Sequence, residues 1–370
     1  MSEDAARLLR LTGPVDAYPL EPSDEELAAA VGLPVERIVR YDMNTLGGGA
    51  LPGVRDAWHA WDPGRSVEYG DLGYRELRRA IGAVAGVDPA RVVPGAGADE
   101  LIRLVTTAVV GPGDAVIVPT PTFPMFAVEA GLAGARVVAV PRTHPASRQP
   151  PGAIRAAAER EGARLVWLCS PNNPTGDATP LADIVGIADG LEAVVVVDQV
   201  YLEFAVAGGA TDIDAVALQA SHDNVIVLRS LAKSFGLAGA RIGYLVVPDA
   251  LAVRFDALRL PLSVSMAAEV LALGVLADAA SAAERQVAIM GEQRRLADAV
   301  RGLGCEVLDG VANFVTFRPA DARGLASALM ARGLILREYP AGPMAGWLRA
   351  TARARDENDR LIAALGELLG

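Results

Sequence analysis

Val225-Ile226-Val227-Leu228-Arg229-Ser230-Leu231-Ala232-Lys233-Ser234-Phe235-Gly236 is the stretch that decides how this chain reads. Its first half is an apolar run with the length of a buried strand, and Lys233 stands just past it, before a turn containing Gly236. Lys233 is the only lysine in 370 residues; every other one of the 34 basic residues is arginine. Arginine stays charged at any working pH, whereas a lysine amine can shed its proton and attack a carbonyl. A composition that favours arginine would leave a stray lysine on a solvated helix. This one stands at a strand's end before a glycine turn, the position of a Schiff-base lysine.

Outward from that strand the chain alternates short apolar runs with helix-period stretches. Strands are expected at 91–94, 115–119, 136–140, 164–169, 193–198, 225–229 and 242–247, with helices such as 98–110 and 181–190 between them. This alternation predicts an α/β fold: a mostly parallel seven-stranded sheet with helices on both faces. In such sheets ligands gather at the carboxyl ends of the strands. Beyond about residue 255 the texture changes to helical segments over 266–300, short strands at 305–308, 314–317 and 335–338, and a last helix at 357–369, a smaller α+β unit. The expected division is a large domain at 41–255 and a small C-terminal domain at 256–370, joined by the N-terminal segment 1–40. Ser23 and Glu26 form a capping box that opens the first helix, and Gly32 closes it. The segment 145–152 reads as a surface loop.

Hydrophobic residues make up 52% and charged residues 21%, which excludes a disordered chain. The apolar segment 262–280 contains Glu269 and Asp278 and reads as a packed helix rather than a membrane span. Met1-Ser2-Glu3-Asp4 has no basic region followed by an apolar one, so no secretory signal is expected. Cys169 and Cys305 lack metal-ligand spacing; no metal is expected, and a reducing cytoplasm is the simpler setting. A net charge of −11 repels polyanions and argues against nucleic acid; anionic ligands would need placed arginines.

Four segments carry chemistry. Gly95-Ala96-Gly97-Ala98-Asp99-Glu100 is a glycine turn feeding a helix N-terminus, a ready phosphate cradle but, taken alone, also a common turn. Glu100 occupies the third glycine position of a dinucleotide fingerprint and excludes it. Ser170-Pro171-Asn172-Asn173-Pro174-Thr175-Gly176 follows a strand directly, and its turn fixes Asn173 where the amide can bond a ligand oxygen. Asp198 ends the run Val194-Val195-Val196-Val197, with Tyr201 beyond; a carboxylate there needs a cation or strong donor, although an N-cap role fits it equally well. Ser230-Leu231-Ala232-Lys233 is followed by Gly239-Ala240-Arg241-Ile242-Gly243. A serine–lysine acyl-transfer site needs a second lysine and a Walker A loop needs glycine at 232, so both are excluded.

In this order and spacing the segments resemble fold-type I pyridoxal-phosphate enzymes of the class I/II aminotransferase family, and within it most nearly the histidinol-phosphate aminotransferase group. The resemblance runs from about Tyr18 to the C-terminus. It implies a cofactor, pyridoxal 5′-phosphate, held in a Schiff base by Lys233, with Asp198 on the pyridine nitrogen as the support for an electron sink. It further implies Asn173 and Tyr201 on the ring's phenolic oxygen and Phe123 stacked on the ring. The phosphate would meet Gly97, Ala98, Asp99, Ser230 and Arg241. Tyr69 matches a tyrosine that reaches the neighbouring subunit's phosphate, which implies a homodimer with shared sites. Arg349, in Trp347-Leu348-Arg349-Ala350-Thr351, matches the arginine that grips an α-carboxylate. Tyr18, Asn44 and Arg337 are the remaining candidates for the substrate.

The implied activity is exchange of an amino group between a donor, glutamate, and a keto acceptor, with histidinol phosphate and imidazole acetol phosphate as the leading pair. Aromatic or specialised-pathway amino acids, a threonine-phosphate type of decarboxylase and an idle binding module are the alternatives. Where the group has N-E-N-P, this chain has Asn44-Thr45-Leu46-Gly47; Ala98 stands for a frequent serine and Gln199 for a frequent glutamate.

Overall fold

The computed structural model describes residues 21–370. All seven expected strands form one sheet, in the spatial order Val92–Gly95, Gly243–Val246, Val225–Ser230, Val194–Asp198, Leu165–Cys169, Ala115–Thr120 and Arg136–Pro141. The five strands from Val225–Ser230 to Arg136–Pro141 are mutually parallel, and only Gly243–Val246 runs antiparallel to both its neighbours. Because the central strands are covered on both faces, they read as unbroken apolar runs rather than alternating ones. Their side chains still divide by pleat. Ile117, Val166, Val195 and Val227 enter the core on one face, and Val116, Trp167, Val196 and Leu228 the core on the other. Asp198 and Cys169 are register partners at the carboxyl ends of this second face.

The second unit is a four-stranded antiparallel sheet ordered Arg337–Tyr339, Trp347–Thr351, Phe314–Arg318 and Glu306–Val307. Its core joins Val315, Phe317 and Leu348 to Leu296, Leu361 and Leu365 of the helices Ala279–Gly302 and Arg355–Leu369. Val39 and Tyr41 lie in the same core, and Val39–Arg40 pairs in parallel with Leu334–Ile335. The Ser23–Glu26 capping box forms as expected, with Gly32 at φ +69 closing the helix Asp24–Val31.

The helical stretch 266–300 is two helices, Met266–Ala277 and Ala279–Gly302, bent by 79° at Asp278. The first of them belongs with the large sheet: Ala268, Ala272 and Val275 sit in one core with Ile117 and Val197. Gly53 and Gly274 make the docking possible, since a Cβ on either would stand 2.3 Å from the other's carbonyl oxygen. The apolar face of Met266–Ala277 is thus spent on the large core. The surface loop is also shorter than expected, as Pro151 and Gly152 begin the helix Pro151–Glu161. No single helix among the described residues is long and apolar enough to cross a membrane.

Candidate active site

The strand ends open into a cavity of about 900 Å³ between the two units. Lys233, Asp198, Tyr201, Asn173, Phe123 and Arg349 all line it. Lys233 follows the buried strand Val225–Ser230, and Nζ donates to the carbonyl of Met43 at 2.9 Å. Burial lowers the Lys233 ammonium to about 8; the charges of Arg349 and Arg241 act in the same direction, against Asp99 and Asp198. Near neutrality the chain's one lysine is therefore partly a free amine.

Asp198 is 2% exposed, and Oδ1 accepts from the Val200 N–H at 3.1 Å. Burial raises its carboxyl to about 7, with Asp99 adding and Lys233 opposing. A carboxyl so weakly solvated calls for a cationic N–H donor in the cavity beside it. The N-cap alternative is realised only as the turn bond to Val200. Tyr201 places its ring edge-to-face on Phe314, centroids 5.5 Å apart, and its hydroxyl accepts from Asn44 Nδ2 at 2.9 Å. Burial raises the Tyr201 phenol strongly. Phe123 meets Phe126 edge-to-face at 5.8 Å, and Phe126 in turn stacks on Trp167.

One end of the cavity is an anion cradle. The helix Gly97–Val109 begins there, so its first N–H groups have no intrahelical acceptor. Gly97 lies at φ +86, and a Cβ on it would stand 2.6 Å from Arg241 Nη2. A Cβ on Gly243 would stand 2.9 Å from Ala98 N, so the strand can approach the helix start only through a glycine there, while the positive φ at Gly97 favours glycine at the turn. Arg241 Nη2 pairs with Asp99 Oδ2 at 2.8 Å. Ser230 Oγ accepts from Ala232 N at 3.1 Å and is fixed at the end of its strand.

At the opposite side, Arg349 is 6% exposed. Its Nη1 donates to Asn173 Oδ1 and its Nη2 to the Asp42 carbonyl, while Nε is buried without a partner among the described residues. The guanidinium carbon lies 5.3 Å from the Phe314 ring centre. Arg337 is the cross-strand register partner of Arg349, so both point into the cavity from one face of the small sheet.

The family model for aminotransferase class I and II matches residues 44–365. This chain belongs to that family. The aminotransferase is 37% identical over 355 residues to the histidinol-phosphate aminotransferase of Roseiflexus castenholzii, covering 93% of each chain. It is 31% identical over 343 residues to that of Lactiplantibacillus plantarum, covering 92% of this chain and 94% of that one. Among solved structures, the histidinol-phosphate aminotransferase of Sinorhizobium meliloti in complex with pyridoxal-5'-phosphate superposes with a TM-score of 0.86, at 28% identity and with 97% of each chain covered.

Tyr69 does not enter this aminotransferase's own cavity; it is 86% exposed on the loop before Arg75–Ala85. Tyr18 lies outside the described residues. Several cavity groups of the aminotransferase have no motif to announce them: the carbonyls of Asp42 and Met43, and the side chains of Glu21, Tyr339 and Met344. Asn44 keeps its place despite the altered residues after it. Its backbone takes φ +54, its N–H donates to Thr351 Oγ1 at 2.9 Å, and its carbonyl accepts from Asn313.

Proposed function

We propose that this aminotransferase uses pyridoxal 5′-phosphate to move an amino group from glutamate to a keto acceptor, with histidinol phosphate and imidazole acetol phosphate as the leading pair. The observation that supports the cofactor is the meeting, at one set of strand ends, of a lysine lowered to about 8, a buried carboxyl and a cradle that only glycines allow. These groups fit a planar cation with a phosphate at one end. When bound, the cofactor supplies an electron sink for bond breaking at the substrate's Cα.

Each side chain has a task under this reading. Lys233 Nζ takes the proton from the substrate's Cα and returns it, which needs the free amine that its environment favours. Asp198 holds a proton on the ring nitrogen, an ion pair that recovers the cost of burying the carboxylate. Asn173 and Tyr201 bond the phenolic oxygen, and Phe123 covers one ring face and excludes water. The N–H groups of Gly97, Ala98 and Asp99, with Ser230 and Arg241, grip the phosphate. Arg349 receives the substrate's anionic group through a planar fork whose Nε has no partner among the described residues. Asn44 sets the Tyr201 hydroxyl, and Arg337 meets a second anion. Tyr18 is kept as a substrate contact on the resemblance alone.

We assign the active unit as a homodimer in the cytoplasm. Val67, Tyr69, Leu72, Leu258 and Leu260 are all exposed, and Arg259 Nη2, donating to the Leu72 carbonyl, ties their two loops together. Such an apolar surface suits a second copy, with Tyr69 extended into the partner's phosphate site. Both cysteines are unpaired, in keeping with a reducing compartment.

A half-reaction screen tests the substrate. Glutamate and histidinol phosphate should each discharge the cofactor's absorbance, and imidazole acetol phosphate should restore it. Discharge by phenylalanine without histidinol phosphate would overturn the substrate pair and leave the aminotransferase. Carbon dioxide release from a phosphorylated amino acid would replace amino transfer by decarboxylation.

A further inference from the structure

Arg337 and Arg349 face each other directly across an antiparallel pair, and both reach into the same cavity. Like charges in that register repel, the more so away from bulk water, unless an anion is held between or beside them. Among the described residues Arg349 has no ion pair: it meets the dipoles of Asn173 Oδ1 and the Asp42 carbonyl and the face of the Phe314 ring. Arg337 has a full charge opposite it: Nη1 forms an ion pair with Glu21 Oε1, and both partners are only about a quarter exposed. Glu21 itself lines the cavity. Tyr339, Pro343, Met344 and Met125 line the same cavity, and the Arg337 guanidinium lies 6.0 Å from the Tyr339 ring centre.

We propose that Glu21 is a specificity-determining residue, a built-in anion that occupies Arg337 and must be displaced by the distal phosphate of a substrate. With Glu21 in place the distal wall is charge-balanced and suits an uncharged aromatic side chain. With Glu21 displaced, Arg337 and Arg349 together read two anions. The relative use of phosphorylated and aromatic substrates is then set by the competition between one carboxylate of this chain and one phosphate of the ligand. The inference rests on the aminotransferase reading above and refines its substrate class.

The test uses the holoenzyme, in which the cofactor's own phosphate cradle is filled. Inorganic phosphate is titrated as a competitor of the phenylalanine half-reaction, followed by cofactor absorbance. Glu21→Gln should lower the inhibition constant for phosphate about tenfold or more, as expected when a charged hydrogen-bond partner is released, and raise KM for phenylalanine. Glu21→Asp should fall between wild type and Glu21→Gln. In an Arg337→Gln background the Glu21 substitution should change nothing. Unchanged phosphate inhibition in Glu21→Gln, or an equal gain in the Arg337→Gln background, would overturn the proposal. If phenylalanine does not discharge the cofactor, glutamate serves as the reporter donor and the phosphate comparison stands. Failure of histidinol phosphate as a substrate with a normal Glu21 effect on phosphate would count against the substrate pair and not against Glu21.

Discussion

Lys233 and Asp198 are moved in opposite senses by the same cavity: burial drives the ammonium down to about 8 and the carboxyl up to about 7. Both shifts favour neutral groups, and a cationic ring with an electrophilic carbonyl would use one and repair the other. The pH dependence of cofactor loading follows. A lysine titrating near 8 is about one-tenth free amine at pH 7 and about nine-tenths at pH 9, against far less than a hundredth at pH 7 for an ordinary lysine. The rate of pyridoxal-phosphate capture by the apoenzyme, read in stopped flow, should therefore climb through about pH 8 and level off. A rise that continues past pH 10 would mean that the cavity does not tune this amine. Asp198→Asn should keep the fold yet slow Cα proton removal by roughly a hundredfold or more, the scale of a lost charge-assisted contact near 3 kcal/mol. Single-turnover spectroscopy that finds the wild-type rate would reduce Asp198 to a turn residue bonded to Val200.

The elements of the large sheet were legible because burial on both faces leaves a direct trace: 225–229 and 193–198 are apolar runs, and the strands are Val225–Ser230 and Val194–Asp198. Gly97 was legible as a turn residue, but the purpose of the cradle's glycines was not. Gly243 looks like an ordinary strand residue until the strand is set against Gly97 and Ala98, since a Cβ there would lie 2.8 Å from Gly97 C. Gly243→Ala should therefore weaken pyridoxal-phosphate binding by tenfold or more, by pushing the helix start out of register, while far-ultraviolet dichroism stays native. Unaltered affinity would show that the helix start yields without cost. The strand Trp347–Thr351 was recognisable only through its arginine, and the helical segments over 266–300 carried no mark of where they break, at Asp278. Asn44, Asn313 and Thr351 illustrate the limit of local reading. Their hydrogen bonds join positions about 270 to 310 apart, and no neighbouring residue signals them.

At the scale of the molecule, a cavity between two units brings the carbonyls of Asp42 and Met43 onto Arg349 and Lys233, so ligand binding must compete with the chain's own backbone. Sequence could not show this, since a carbonyl has no residue identity. The assembly is also beyond one chain's cavity, as Tyr69 lies outside it. Mixing Lys233→Ala with Tyr69→Phe subunits should regain activity above either parent, because one site of each mixed dimer receives both native residues. No gain, or full activity in a sedimenting monomer, would refute shared sites. At the heart of the proposed function stands the attachment of pyridoxal phosphate to the chain's single lysine. It is tested most directly by borohydride reduction of the holoenzyme followed by intact mass and peptide mapping. One reduced cofactor per subunit, borne by the peptide containing Lys233 and absent in Lys233→Arg, is the predicted result; label on any other residue, or none with the cofactor present, would contradict it.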